Sequence, residues 1–350
     1  MNLGRQRELD ISRGLAVIMM FFSHAIEILG YFFETEITDG TFWYGFDMII
    51  SGAAPLFIFC MGIGLSYTKK QSAGDMLHRA MNVALLAFLL EVARTAIPGF
   101  LEWLIFRDPE CIEYVYLFFG VDVLQFAALA MLAIALFKKL NLKPWAMLII
   151  SALCSVLGQL LHWISTGSHI GDIAAGFLWR SYDGTFFPFL NWLIIPVCGY
   201  VLGNLWVRLK NKDLFFRWVT PISWAITILY FVSMAIVGEW YYFSGGDYYG
   251  LSILDAVFMM IVCLAVIGLG YYVAKLGGFV VSWIESVGKR VTSIYFIHWT
   301  IYCFLYLFLV CILEDYIPQW TIVPTAVLVM IASDLLSRVY ENLKKRKLKK

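Results

Sequence analysis

The first apolar segment of the chain carries ionisable residues whose types and spacing suit proton transfer and phosphate binding. Asp10 and Arg13 stand at its start, His24 lies well inside it, and Glu27 follows His24 by about one helical turn. Histidine titrates near neutral pH and so suits the general base that a hydroxyl or amine nucleophile needs. Arginine makes bidentate contacts with phosphate groups. Residues 5–33 are therefore a candidate functional site.

The alternative is that His24 has only a structural role, as a buried histidine hydrogen-bonded to a neighbouring helix. Ionisable groups at membrane depth are costly, however, and usually face a protein interior or a wet cavity that serves function. A signal peptide does not fit this segment, because polar residues interrupt the apolar run and no small-residue cleavage site follows. We therefore expect His24 to be functional.

The composition places these residues in an integral membrane protein. Of the 350 residues, 61% are hydrophobic and the mean hydropathy is +0.78, which excludes an ordinary soluble domain. Segments that cross lipid must be helices, because lipid offers the backbone no hydrogen-bond partner. We predict an all-α polytopic membrane protein with about ten transmembrane helices. It forms a single domain over 1–350, with spans at 11–33, 47–67, 76–97, 114–137, 143–164, 188–208, 217–237, 251–274, 291–313 and 319–340.

The distribution of charge predicts the orientation. With the N-terminus in the cytoplasm, lysine and arginine fall mostly in the inner connections and acidic residues in the outer ones, as the positive-inside rule requires. Both termini are then cytoplasmic. We expect 98–113 to lie in the outer interface or to dip back between helices. We expect 275–290 to form an amphipathic helix on the inner leaflet, with Phe279, Val280, Trp283, Ile284 and Val287 on one face.

The cysteine spacing and the basic tail indicate which other cofactors and partners to expect. Seven cysteines form no Cys-x-x-Cys pair and most lie in apolar runs, which argues against a disulfide framework and a thiolate metal site. We therefore predict no metal. The C-terminal polybasic tail favours anionic lipid, and the sequence contains no nucleic-acid motif.

The intramembrane polar residues separate into three tiers when each helix rises 1.5 Å per residue. The inner rim holds the candidate donor-binding residues Asp10, Arg13, Arg79 and Lys289, with Arg290 beside them, and the cations among them suit phosphate groups. The midplane holds His24 and Gln125, and the outer half holds Glu27, Glu91, Arg94 and Asp122. A carboxylate from Glu27, Asp122 or Glu91 would orient His24, as in catalytic triads.

The remaining polar residues are assigned to the same pocket. His298 lies about two turns into the ninth span, and Gln125, Glu91 and Arg94 complete the set. Alternative explanations are a purely structural His298 and an ion pair between Glu91 and Arg94.

Several stretches of the chain resemble one branch of the transmembrane acyltransferases. They are ELDISRGLAVIMMFFSHA (8–25), APLFIFCMGIGLSYTKK (54–70), GVDVLQFAALA (120–130), FPFLNWLIIPVCGYVLG (187–203) and GKRVTSIYFIHW (288–299). Their order is that of the heparan-alpha-glucosaminide N-acetyltransferase-like proteins, a branch related to acyltransferase family 3. The resemblance implies an integral membrane enzyme that takes an acyl group, typically acetyl, from acetyl-CoA at the cytoplasmic side. The implied acceptor is a hydroxyl or amine of a sugar or glycan.

The resemblance extends unevenly to single residues. Arg13 and His24 match the arginine and histidine of the broader acyltransferase pattern. Positions that recur in the narrower branch are matched by Asp10, Gly14, Gln125 and His298. In the heparan-modifying enzymes the key histidine follows the first helix, whereas 34–46 here contains none. His24 is thus implied to act as the general base or as a transient acyl carrier.

Two other functional classes were weighed against an enzyme. A proton-coupled secondary transporter would use the same polar residues as a pathway, but the chain has no internal repeat and its prolines are not symmetrically placed. A scaffold protein leaves the three tiers unexplained. We predict an acetyltransferase of the bacterial inner membrane. The oligomeric state stays open, with a homodimer among the alternatives.

Overall fold

The computed structural model describes residues 5–38, 41–69, 71–107, 117–182, 184–237, 247–313 and 315–347. These residues form helices joined by short connections, with isolated bridges at Phe33–Ile317 and Val121–Thr185. The helices are α1 (Arg7–Gly30), α2 (Phe42–Ile50), α3 (Ala53–Ser66), α4 (Ala73–Glu91), a π-helix (Val92–Ala96), α5 (Ile97–Phe106), α6 (Val123–Lys139), α7 (Pro144–Leu160), α8 (His169–Gly176), α9 (Phe189–Trp192), α10 (Ile194–Arg208), α11 (Lys212–Val237), α12 (Ile253–Leu276), α13 (Gly278–Lys289), α14 (Val291–Ile312), a 3-10 helix (Gln319–Thr321) and α15 (Ile322–Lys347).

Eight helical stretches in the described part of the chain are long and apolar enough to cross a membrane. They are Arg7–Gly30, Phe42–Ser66, Ala73–Phe106, Phe189–Arg208, Lys212–Met234, Ile253–Leu276, Val291–Ile312 and Gln319–Arg346. The prediction of an all-α polytopic membrane protein is therefore confirmed.

The two other predicted spans, 114–137 and 143–164, correspond to α6 and α7. Each has 17 residues, the lower limit for crossing a bilayer. The predicted start of the first was too early, because the Asp122 side chain caps α6 by accepting a hydrogen bond from the Val123 N–H at 2.6 Å. Residues 114–116 lie outside the described residues.

The third span continues beyond its predicted end. The helix runs from α4 through the π-helix into α5, over Ala73–Phe106, and Arg107 ends it at φ 57°. Pro98 explains the widened turn, since its ring would clash with the carbonyl of residue 94 in a regular α-helix and it has no N–H to donate. Residues 98–106, expected in a surface or re-entrant segment, thus form the end of this helix, and 108–113 lie outside the described residues.

Contacts divide the chain into two compact units, each assembled from separate stretches of sequence. The first unit comprises Met1–Gln6, Pro55–Glu91 and Ile112–Leu269, and the second comprises Arg7–Ala54, Val92–Cys111 and Gly270–Lys350, within the residues described.

The first unit has a core of large aromatic side chains and closely packed helices. Trp192, Trp206 and Phe59 are fully buried in it. Where α3 meets α10, a side chain on Gly62 would collide with the Pro196 carbonyl. Small residues at such a contact let helix backbones approach closely, as is usual in membrane proteins.

The second unit is built around α1, which contacts α13, α14 and α15. The predicted amphipathic helix forms as α13, but its apolar face is divided. Ile284 and Val287 pack inward, with Ile284 against Gly14 of α1, whereas Phe279 and Val280 are 86% and 63% exposed. The start of α13 therefore presents its most exposed apolar side chains to its surroundings.

Candidate functional site

His24 is surrounded by aromatic rings from α14, within the second unit. Its ring centroid lies 4.0 Å from that of Trp299, 5.1 Å from that of His298 and 6.5 Å from that of Tyr302. The Tyr302 hydroxyl donates a 2.6 Å hydrogen bond to the Phe21 carbonyl of α1, which fixes the two helices against each other. We call His24, His298, Trp299, Tyr302 and Arg94 the histidine cluster.

Within this cluster His24 has an unsatisfied polar atom. Its Nδ1 is buried and makes no hydrogen bond with any residue that the structure describes. Such an atom costs about 1–3 kcal/mol, and buried polar groups in native proteins are nearly always paired. An unpaired ring nitrogen among aromatic walls is therefore suited to a ligand or a proton in transit.

His298 is fully buried and its protonation pattern follows from one contact. Its Nδ1 lies 3.1 Å from the Ile294 carbonyl oxygen. A carbonyl can only accept, so this hydrogen bond requires the proton on Nδ1 and makes Nε2 the nitrogen with a lone pair.

Arg94 reaches the cluster from the π-helix. Its guanidinium carbon lies 4.9 Å from the centroid of the Trp299 ring, a cation–π arrangement. Turns of π-helix inside α-helices often occur at functional sites, because they redirect one side chain. Trp299 thus contacts both a cation and His24.

The three carboxylates proposed to orient His24 belong to different units. Glu27 belongs to the same helix as His24, and its side chain is exposed. Asp122 and Glu91 belong to the first unit. The rings that contact His24 are those of His298, Trp299 and Tyr302.

The predicted donor residues Asp10, Arg13 and Lys289 meet where α1 crosses α13. Asp10 is 1% exposed, and the Arg13 guanidinium lies 3.6 Å from its carboxylate. A side chain on Gly288 would overlap the Asp10 carbonyl, so the residue before Lys289 touches the start of α1. Along α1 this crossing lies about 16 Å from His24.

Lys289 and Arg7 share an acidic partner at the same crossing. Glu285 pairs with Lys289 and accepts a 3.0 Å hydrogen bond from Arg7 Nε. Burial alone would raise the pKa of Glu285, but hydrogen bonds from Lys289 and Arg7 and their positive charges outweigh it and lower that pKa. These contacts tie α13 to the beginning of α1.

The other predicted site residues lie in the first unit. Glu91 is buried and accepts a 2.7 Å hydrogen bond from Gln125. Asp122 caps α6, and Arg79 is half-buried on α4 without a hydrogen bond or ion pair to any described residue. Tyr182 joins this group, because burial and then the negative charge of Glu91 raise its pKa to about 12.

The structure thus assigns the predicted residues to two units. His24, His298 and Arg94 form one cluster, and Asp10, Arg13 and Lys289 form another on the same unit. The residues assigned to the first unit are Arg79, Glu91, Asp122 and Gln125. Sequence reasoning missed Tyr302 and Tyr182. The first was detectable, because it follows His298 by four residues and so shares its helix face.

Comparison with known proteins extends this description. A family model described as heparan-alpha-glucosaminide N-acetyltransferase, catalytic, matches residues 5–240. The match contains Asp10, Arg13, His24 and Arg94 and ends before Lys289 and His298. No curated protein matches the chain.

Proposed function

Because this chain belongs to the heparan-alpha-glucosaminide N-acetyltransferase catalytic family, we propose that it moves an acetyl group from acetyl-CoA to a sugar or glycan. The resemblance predicted from the sequence is confirmed, and the chain is a multi-pass membrane acetyltransferase. The donor, the acceptor and the residue roles given below are the proposal.

The buried, unpaired Nδ1 of His24 is the observation that carries the proposal. The rings of His298 and Trp299 lie beside it, and the Arg94 guanidinium faces the Trp299 ring. A ring that served only to fill space would gain stability from a hydrogen-bond partner, and this one has none among the described residues. Its environment supports a role in accepting a proton or an acyl group.

The proposed chemistry is acyl transfer by general-base catalysis. His24 takes the proton from the acceptor hydroxyl or amine, and the freed oxygen or nitrogen attacks the thioester carbonyl carbon. The tetrahedral intermediate then expels the coenzyme A thiolate, which recovers the proton from the imidazolium. Arg94 stabilises the negative charge that develops on the carbonyl oxygen. His298 holds the ring of His24 in place through their contact.

The separation of the two clusters on the second unit supports an elongated donor. Coenzyme A carries its phosphates at one end and its thioester at the other. Arg13 and Lys289 supply the positive charge for the phosphates at the α1–α13 crossing, and His24 lies about 16 Å further along α1. We place this crossing and both termini on the cytoplasmic side, from the positive-inside rule, in a bacterial inner membrane.

A transient acetyl-histidine is the alternative mechanism for the same residue. His24 would then attack the thioester itself, release the thiol and pass the acetyl group to the acceptor in a second step. Incubation with acetyl-CoA alone, followed by mass spectrometry of the intact protein, separates the two. A gain of one acetyl group that His24→Ala abolishes supports the covalent route.

The test of the proposed function is acetyl transfer by purified His24→Ala protein. We expect coenzyme A to bind with unchanged affinity and turnover to fall about 100-fold or more, because general bases contribute factors of this size. His169→Ala is the matched control, since His169 is exposed in the first unit, and its turnover should equal that of the wild type. Near-normal turnover by a thermally stable His24→Ala protein would remove His24 from the mechanism.

A further inference from the structure

A second polar cluster lies within the first unit, just beyond the end of α7. The carboxylate of Asp247 lies 2.7 Å from His162 Nε2 and 2.6 Å from Arg180 Nε. Its other oxygen accepts a 3.0 Å hydrogen bond from the Tyr249 N–H. Since a carboxylate only accepts, Nε2 of His162 carries a proton in this pair, and in the neutral imidazole Nδ1 is the acceptor.

Trp163 stands next to this cluster in an uncommon backbone conformation. Its φ is +59°, which a bulky residue adopts only when its surroundings hold it there. Two contacts hold it: its N–H donates to the Arg180 carbonyl at 2.8 Å, and the Arg180 guanidinium carbon lies 4.7 Å from its ring centroid. Even so, the residue is 48% exposed.

The arrangement fixes an indole and an imidazole side by side. The ring centroids of His162 and Trp163 lie 5.6 Å apart with an interplanar angle of 32°. Arg180 cannot move without breaking its ion pair with Asp247 and its hydrogen bond to the Thr185 carbonyl. Because these side chains are already fixed, they lose little conformational entropy when a ligand binds.

We propose that Trp163 and His162 form a saccharide-binding subsite. The C–H face of a pyranose stacks on the exposed indole, and His162 Nδ1 accepts a hydrogen bond from a sugar hydroxyl or amine. An anionic ligand fits less well, because Arg180 already faces Asp247 and the Trp163 ring. The choice of glucosamine as the sugar rests on the proposed function. The geometry of the subsite is independent of that function.

The competing explanation for Trp163 is membrane anchoring, since tryptophan is common at membrane–water interfaces. The chain contains a matched control for that role. Trp145 is 60% exposed near the beginning of α7, and Trp163 follows the other end of the same helix. Anchoring treats the two tryptophans alike, whereas a saccharide subsite requires Trp163 alone.

The experiment measures binding of a glucosamine disaccharide to the full-length protein in lipid nanodiscs, without acetyl-CoA. Isothermal titration should give affinity at least about tenfold weaker for Trp163→Ala than for the wild type, and unchanged affinity for Trp145→Ala. Trp163→Phe, which keeps a smaller ring, should fall between. Should Trp163→Ala not fold, His162→Ala takes its place and should also weaken binding.

Three results would overturn the subsite. They are no disaccharide binding by the wild type at millimolar concentration, wild-type affinity in a folded Trp163→Ala protein, or equal losses in the two tryptophan variants. The failures of the two proposals can be distinguished. Binding through Trp163 without any acetyl transfer refutes the proposed function alone, and normal acetyl transfer with wild-type binding by Trp163→Ala refutes the subsite alone.

Discussion

At the scale of single residues, ring contacts hold His24 within the second unit. The Trp299 and His298 rings lie within about van der Waals distance of it, and Tyr302 fixes α14 to α1 by a hydrogen bond to a backbone carbonyl. Electrostatic interactions between partly buried groups are stronger than in solvent. Arg94 is the charged group that gains most from this setting, because its guanidinium faces Trp299.

Arg94 therefore gives a prediction about turnover. Arg94→Met keeps much of the side-chain volume and removes the charge, and we expect turnover to fall about 100-fold with little change in coenzyme A affinity. Arg94→Lys should restore part of the loss, because it restores charge without the planar guanidinium. Steady-state kinetics and equilibrium binding on the same preparations measure both quantities. A loss confined to KM would contradict the role.

Glu285 gives a prediction about pH. Because its pKa is lowered in the folded protein, its pairing contributes stability that is present above the ordinary value of 4.5 and lost as pH falls through the folded value. Thermal melting of wild type and Glu285→Gln should therefore converge as the solution is acidified below 4.5 and differ most near neutral pH. Parallel melting curves across the whole pH series would contradict this assignment.

At the scale of helices, the close crossing of α1 and α13 determines where the donor residues lie. Gly14 and Gly288 occur at the contact because any larger residue would meet backbone atoms of the opposite helix. The same contact brings Arg13 and Lys289 to one place, although they are far apart in sequence. The packing of these helices depends on the two glycines, and we expect the proposed donor site to depend on them as well.

The crossing can be tested with two glycines of one helix. Gly14→Ala should destabilise the protein by about 1–3 kcal/mol, because its new methyl group meets the Ile284 carbonyl, and it should weaken coenzyme A binding. Gly30→Ala is the control, since nothing lies within 4 Å of its added carbon. Thermal melting and coenzyme A titration of both variants decide the matter. Equal stability of the two variants would contradict the close packing.

Helix positions were predictable from the sequence, and several side-chain contacts were not. Hydrophobic length indicated where helices form, since lipid permits only helices to cross. The structure begins α6 at Val123, because Asp122, chosen from the sequence for its charge, serves as a helix cap. The site residues on α1 could be chosen by type and depth. The approach of Arg94 to Trp299 depends on a π-turn, which no hydrophobic pattern specifies.

At the scale of the whole molecule, the chain alternates between two units, and we infer its membrane topology from the distribution of charge. Lysines and arginines concentrate in the connections that we place in the cytoplasm, such as Lys138, Lys139 and Lys143 between α6 and α7. The direction of the donor's approach follows from this orientation. If the orientation were reversed, Arg13 and Lys289 would face away from the cytoplasmic coenzyme A pool.

Topology is testable by labelling single cysteines introduced into a variant that lacks the seven native ones. A membrane-impermeant maleimide added to intact cells should label positions in 34–38 and 247–249. It should not label positions in 71–75 or 209–213 until the membrane is permeabilised. Labelling in the opposite pattern would invert the orientation and with it the proposed side of donor entry.

The composition of the second unit has a consequence for how the protein is made. The ribosome delivers His24 to the membrane before His298, Trp299 and Tyr302, because α14 follows α1 in the sequence. Until α14 is synthesised, His24 lacks the rings that contact it in the folded protein. A chain whose synthesis stops before residue 291 therefore contains His24 without these partners.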